Sequence, residues 1–350
     1  MSMHSAYNSS NVDIIQSLRL DLPNNRSYWE QLRVLTFGTL FRLLVNTISI
    51  PVLVANDKNR FKIKIDTGAT GTCRLCIYLP KIVSPNEPPR GVAVHLHGGG
   101  WTISRPETEA PICRYIADTA GIVVVAPDYR KAPRYPYPHA LEQSYSVLSW
   151  IASGGLAQAL RSSKHPSSSL QIDPTRIALS GGSAGSNLAC ALTALCISRP
   201  LPMSAHITAQ GLLYPALNLA VPYAEKLARV DPAHVLPQWA SRFFLRSYLP
   251  PPRTAEDPFV SPALQPDEVL RQFPPTVILT AAYDYLAHEA EEFAEHLRRL
   301  GVQVVNRRFE DVGHGFDGIP ARDKQQRMLN SNARDVAWGM IAEEFKKALL

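Results

Sequence analysis

The 350-residue sequence is poor in the features that mark several protein classes. Its five cysteines form an odd, sparse set, which excludes a disulfide-stapled scaffold. Cys73 and Cys76 have C-x-x-C spacing, but they sit in a strand-like run, where residues three apart face opposite sides. No second pair completes a zinc site, so no metal is called for. Reduced, buried thiols in a cytoplasmic setting are expected instead. Neither G-x-x-x-x-G-K-[ST] nor G-x-G-x-x-G occurs, S-x-x-K is missing, and His288-Glu289 lacks the second histidine of H-E-x-x-H. Phosphate-loop, dinucleotide, penicillin-binding and zinc-protease arrangements drop out, and no cofactor is expected. Charge is also thin, at 19% of residues and a formal +6. Basic residues come as pairs, Arg298-Arg299 and Arg307-Arg308, not tracts, so nucleic acid is not an expected partner. Residues 1–21 are polar, without a secretory apolar core. The longest apolar stretch, Val34–Val54, is interrupted by Arg42, Asn46 and Pro51. It is expected to pack against the body as a helix, with a weak contact to a membrane surface left open.

What is present is an alternation of strand-like and helix-like segments. Lys62–Ile65 and Thr72–Leu79 read as an opening strand pair. Val92–Leu96, Ile122–Ala126, Ile177–Leu179, Ile207–Tyr214, Val277–Ala281 and Val302–Phe309 follow as apolar strands of the kind buried on both faces. Leu141, Tyr145, Leu148 and Ile151 form one helical stripe. Leu286, Ala290, Phe293, Leu297 and Leu300 form another, stopped by Gly301, and Ala333–Leu350 reads as a last helix. This alternation predicts an α/β fold with a mostly parallel sheet flanked by helices. Residues 1–59 and 216–264 break the pattern, the second with Pro250-Pro251-Pro252 and its own apolar residues. They are expected to form a helical cap over a core of residues 60–215 and 265–350.

The chemistry concentrates in short motifs. Leu179-Ser180-Gly181-Gly182-Ser183-Ala184-Gly185-Ser186-Asn187 places a serine in G-x-S-x-G, after an apolar strand and before a helix-like run. Such a turn forces the hydroxyl into a cleft, and flanking glycines avoid clashes there. A serine hydroxyl needs a base, and the base an orienting carboxylate. Downstream of Ser183, Asp284 follows a strand at a helix start and His314 follows the last strand between two glycines. Asp284 also suits a helix cap. His288 and His296 read as surface residues, while His139, His206 and His234 lie in less suitable contexts. Acyl transfer also needs backbone N–H groups aimed at an oxyanion. His97-Gly98-Gly99-Gly100 after a strand offers them, and Gly98, Gly99 and Ala184 are the expected donors.

Taken together, His97-Gly98-Gly99-Gly100-Trp101, Asp128-Tyr129-Arg130, Gly181–Asn187, Asp257-Pro258-Phe259 and His314-Gly315-Phe316 resemble the hormone-sensitive-lipase-like α/β-hydrolases over residues 90–320. The resemblance implies a catalytic set of Ser183, Asp284 and His314, a cap, and a buttressing role for Asp128-Tyr129-Arg130. It implies cleavage of a small to medium hydrophobic carboxylic ester through an acyl-enzyme. Lactone, thioester, amide or arylformamide cleavage is the alternative, and a non-catalytic receptor is disfavoured by the presence of His314. The family often carries an acidic residue where this chain has Gly182, which points to altered packing or substrate fit. Trp239, Phe243, Phe244 and Tyr248 are expected to shape an apolar pocket or the cap's own core. A small-molecule ester is the expected partner, and the sequence assigns no oligomeric state.

Overall fold

The computed structural model of the chain describes residues 24–48, 57–81, 88–163, 170–231, 235–319 and 323–350, with the single residues 18, 20 and 321. His234 and the end of the Val34–Val54 stretch, from residue 49, lie outside them. In chain order the elements are α1 (Tyr28–Ile48), β1 (Arg60–Asp66), β2 (Thr72–Tyr78), β3 (Arg90–Leu96), α2 (Ala110–Ala120), β4 (Val123–Asp128), α3 (His139–Ala152) and α4 (Gly155–Ser162). Then come β5 (Ile172–Gly182), α5 (Ala184–Ser198), β6 (His206–Leu213), α6 (Tyr223–Leu227), α7 (Gln238–Tyr248), α8 (Asp267–Leu270), β7 (Thr276–Tyr283), α9 (Ala287–Arg299), β8 (Val304–Gly313) and α10 (Lys324–Leu349).

The eight strands form one sheet in the order β1-β2-β4-β3-β5-β6-β7-β8. Pairs β1–β2 and β2–β4 are antiparallel and the rest are parallel. The central strands are apolar on both sides because helices cover both faces. One buried cluster joins strand residues such as Val94 and Leu179 to α3, α5 and α9. The other joins Ala93, Val124 and Leu279 to α2 and α10. Cys73 belongs to the first cluster and Cys76 to the second, as alternation along β2 requires.

Register places the site. Gly182 of β5 lies opposite Leu213 of β6, and Tyr283 of β7 lies opposite Gly313 of β8. The residues that follow, Ser183, Asp284 and His314, therefore leave the sheet at the same edge, the carboxyl ends of parallel strands. Helices α2 and α4 have no counterpart in the sequence expectation, and α10 begins nine residues before Ala333, where the Asp323 side chain accepts the Gln326 N–H at 2.7 Å.

Helices α1 and α7 meet through aromatic rings. Phe37 lies edge-on to Phe243 at 4.8 Å between centroids, and Phe41 stacks on Phe244 at 6.2 Å. Arg42, the charge inside the apolar α1, donates from Nε and Nη2 to the Thr102 carbonyl at 3.0 and 2.7 Å, and from Nη2 to Ala132 at 3.2 Å. Those bonds tie α1 to the turn after β3 and account for an arginine in an apolar run. Asn187 Nδ2 donates to the carbonyls of Ala216 and Val260, at 2.8 and 2.9 Å, so α5 holds both flanks of the insertion.

Candidate active site

Ser183 sits between the last residue of β5 and the first of α5, with φ 54° and ψ −119°. A non-glycine residue at positive φ is strained, and such strain persists only where the surroundings enforce it. Here the Ser183 N–H donates to Leu213 at 2.9 Å, and the Ser183 carbonyl accepts from Asn187 at 3.1 Å. Ser186 reinforces the turn: its Oγ lies 2.9 Å from both the carbonyl and the N–H of Leu213. Two glycines permit the crossing. A Cβ on Gly185 would stand 1.9 Å from the Leu96 carbonyl oxygen, and one on Gly181 would meet the Gly185 backbone at 2.3 Å.

The structure brings Ser183, His314 and Asp284 together. Ser183 Oγ lies 2.8 Å from His314 Nε2, and His314 Nδ1 lies 2.7 Å from Asp284 Oδ2. Asp284 is buried, and its second oxygen accepts the Leu286 N–H at 3.0 Å. One carboxylate thus starts the turn into α9 and holds the imidazole. The other histidines lie apart. His288 and His296 are half-buried rather than on the open surface: His288 Nε2 meets the Arg229 carbonyl at 2.9 Å, and His296 Nε2 meets Asp267 at 3.0 Å. His206 is exposed, and His139 is half-buried beside Tyr135.

The glycine turn after β3 corrects one expectation. The Gly98 N–H does not face an oxyanion, because it donates to Glu109 Oε1 at 2.6 Å. The N–H groups of Gly99, Gly100 and Ala184 have no acceptor among the described residues. Gly99 and Gly100 adopt φ of 102° and 58°, which turns their N–H groups away from the strand's own direction. Sequence reasoning could not assign the partner of Gly98, since Glu109 carries no motif of its own. Glu109 Oε2 also meets His95 Nε2 at 2.6 Å, and His95 Nδ1 meets Ser180 Oγ at 2.9 Å. Burial alone would push the Glu109 carboxyl up, but the bonds from His95 and Gly98 hold it below the ordinary carboxylate value. Behind the turn, burial pulls the His97 imidazole down to about 4, so the ring is neutral. It stacks on Tyr129 at 4.1 Å, whose hydroxyl donates to the His97 carbonyl at 2.7 Å.

Gly182, the position without an acidic side chain, leaves room for Tyr214. A Cβ there would stand 3.0 Å from the Tyr214 hydroxyl. Tyr214 hydrogen-bonds Asp317 Oδ1, and Asp317 Oδ2 accepts the Trp338 indole N–H at 2.8 Å. The Tyr214 ring also lies 4.8 Å from the His314 ring. The aromatic residues of α7 divide. The Phe244 ring occupies the space a Cβ on Gly100 would need, while Tyr248 is buried and stacked on Trp101 at 4.3 Å. Trp239 is more than half exposed. Tyr248 is therefore core, and Phe244 is the α7 ring that abuts Gly100.

Comparison with known proteins gives the class. Residues 93–318 match the family model described as the alpha/beta hydrolase fold, and the chain belongs to this family. Its motifs are those of the hormone-sensitive-lipase-like group. Among curated proteins it is 30% identical over 241 residues to the carboxylesterase NlhH of Mycobacterium tuberculosis, covering 69% of this chain and 70% of the relative. Among solved structures it is similar to carboxyl esterase 2 from the fungus Tuber melanosporum, with a TM-score of 0.70, 27% identity and coverage of 85% and 90%. It is also similar to an esterase from Pyrobaculum calidifontis, with a TM-score of 0.72, 27% identity and coverage of 92% and 98%.

Proposed function

We propose that this protein is a serine hydrolase that cleaves a carboxylic ester of small to medium size. The coarse class, a carboxylic ester hydrolase, rests on the family and on esterase relatives across it. The serine mechanism rests on one observation: the Ser183 hydroxyl lies 2.8 Å from an imidazole whose far nitrogen lies 2.7 Å from a buried carboxylate. In this reading His314 Nε2 takes the proton as Ser183 Oγ attacks the ester carbonyl carbon. Asp284 fixes the tautomer and stabilises the imidazolium. The oxyanion is held by the N–H groups of Gly99, Gly100 and Ala184, the last also at the positive end of α5. Collapse releases the alcohol, which carries away the proton from His314. Water, deprotonated by the same imidazole, then hydrolyses the acyl-serine to the carboxylic acid.

Residues 60–215 and 265–350 form the catalytic core in this reading, and residues 1–59 with 216–264 form the cap. Phe244 against Gly100 supports an apolar wall beside the acyl group and so a hydrophobic ester. Five free cysteines support a reducing, cytoplasmic compartment. The test is Ser183→Ala, assayed on p-nitrophenyl esters of graded chain length and with a fluorophosphonate probe. Turnover is expected to fall at least about ten-thousandfold and labelling to vanish, with the melting temperature nearly unchanged. A variant that keeps most of its rate overturns the mechanism.

A further inference from the structure

Helix α1 carries apolar residues all along its length, and among the described residues only one side of it is covered. Phe41 packs against α7, and Phe37, still 44% exposed, touches it edge-on. Elsewhere on the helix Tyr28 and Trp29 are each 71% exposed and Leu40 is 61% exposed, and Leu32, Leu43 and Leu44 are exposed as well. At helical spacing these residues, with Leu35, share one broad side of the helix, with Thr36, Thr39 and Arg33 interspersed among them. This side is far larger than the scattered exposed apolar residues of an ordinary surface.

Charge tells what covers it. Residues 24–48 and 235–253, which hold α1 and α7, contain six arginines, Arg26, Arg33, Arg42, Arg242, Arg246 and Arg253, and one carboxylate, Glu30. Arg33, Arg242 and Arg246 are exposed and pair with no carboxylate among the described residues. A second copy of this face would bring like charges together, so self-association is disfavoured. An anionic surface satisfies both the cations and the leucines. No helix of the described residues is long and apolar enough to cross a membrane.

We propose that α1 lies in the surface of an anionic phospholipid bilayer, with its exposed apolar side in the acyl boundary and Arg33, Arg242 and Arg246 among the headgroups. Tyr28 and Trp29 suit the interface at one end of the helix. Arg42 carries the attachment into the molecule, because it binds the turn after β3. The protein then docks with the cap side of the glycine turn toward lipid, the direction from which apolar esters arrive.

The test uses the full chain in flotation with vesicles of phosphatidylcholine alone, or with about a quarter phosphatidylserine. Binding is expected only to the mixed vesicles and is lost in about 0.5 M salt. Arg33→Gln, Arg242→Gln and Arg246→Gln should each lower partitioning about fivefold, and Leu40→Glu with Leu43→Glu should abolish it. All five positions are exposed, so melting temperature and hydrolysis of a soluble short ester should match the parent. Equal binding to neutral vesicles, no binding to either, or a dimer in light scattering that Leu40→Glu disrupts each overturns the proposal. Vesicle binding is read without turnover, so failure of the serine mechanism would leave this result standing.

Discussion

At the residue scale, Glu109 does what none of the motif residues does. Its carboxylate takes the Gly98 N–H and the His95 imidazole together, and His95 reaches Ser180 on the strand that carries Ser183. The glycine turn and the serine turn are therefore wired through one side chain. Holding Gly98 fixes the peptide planes of Gly99 and Gly100, whose N–H groups the proposed mechanism needs. A small misplacement of such donors weakens them where charge develops and leaves substrate binding nearly intact. Glu109→Ala is expected to lower kcat about tenfold to a hundredfold while KM moves less than about threefold. Glu109→Gln keeps an acceptor for Gly98 and should recover part of the loss. Steady-state kinetics on one soluble ester checks both variants, and a change confined to KM would remove Glu109 from this role.

At the element scale, the approach of α5 to β3 decides whether the serine turn forms. Gly185 touches the Leu96 carbonyl so closely that a methyl group there overlaps backbone oxygen, which no rotamer change relieves. Gly185→Ala must push the helix off the sheet and is expected to cost more than about 3 kcal/mol. Gly68, by contrast, has open surroundings and a positive φ, and Gly68→Ala should cost only about 1 kcal/mol through backbone strain. Chemical denaturation of the two variants, side by side, measures the difference between steric overlap and conformational preference.

At the scale of the whole molecule, an ion-pair network fastens the antiparallel edge of the sheet to the segment after the glycine turn. Arg74 of β2 binds Glu107 at 3.0 Å and Asp128 at 2.8 Å, and Lys62 of β1 reaches Glu107 at 2.6 Å. Burial alone would push the Glu107 carboxyl up, but the bonds from Arg74 and Lys62 outweigh it and hold it well below the usual carboxylate range. A depressed folded value means that the stabilisation is full above the ordinary carboxylate value near 4.5 and is lost as pH falls below it. Thermal melts should show stability falling steeply below about pH 4, with a shallower fall in Glu107→Gln. The variant should also lose about 2 kcal/mol at neutral pH, because Arg74 and Lys62 lose the carboxylate they share while Arg74 keeps only Asp128. Identical acid profiles for the two proteins would show that the network carries no such linkage.

Local pattern was enough to read the alternation of strands and helices, the α/β class, and the three side chains that meet at the carboxyl edge. The reason is that strand periodicity, the glycine-flanked serine and the loop histidine are each written within a few consecutive residues. Their roles rest with the proposed mechanism, but their convergence follows from chain order in a parallel sheet. Tertiary structure alone decided which glycine N–H groups lack an acceptor among the described residues, why Gly182 is tolerated, that Tyr248 is core, and which side of α1 packs on α7. Each of these depends on a partner distant in sequence: Glu109 for Gly98, Tyr214 for Gly182, Trp101 for Tyr248 and α7 for α1. Periodicity shows that a side chain is apolar or that an amide exists. Only the packed chain fixes what stands within 3 or 4 Å of it, because hydrogen bonds and van der Waals contacts act through space and not along the sequence.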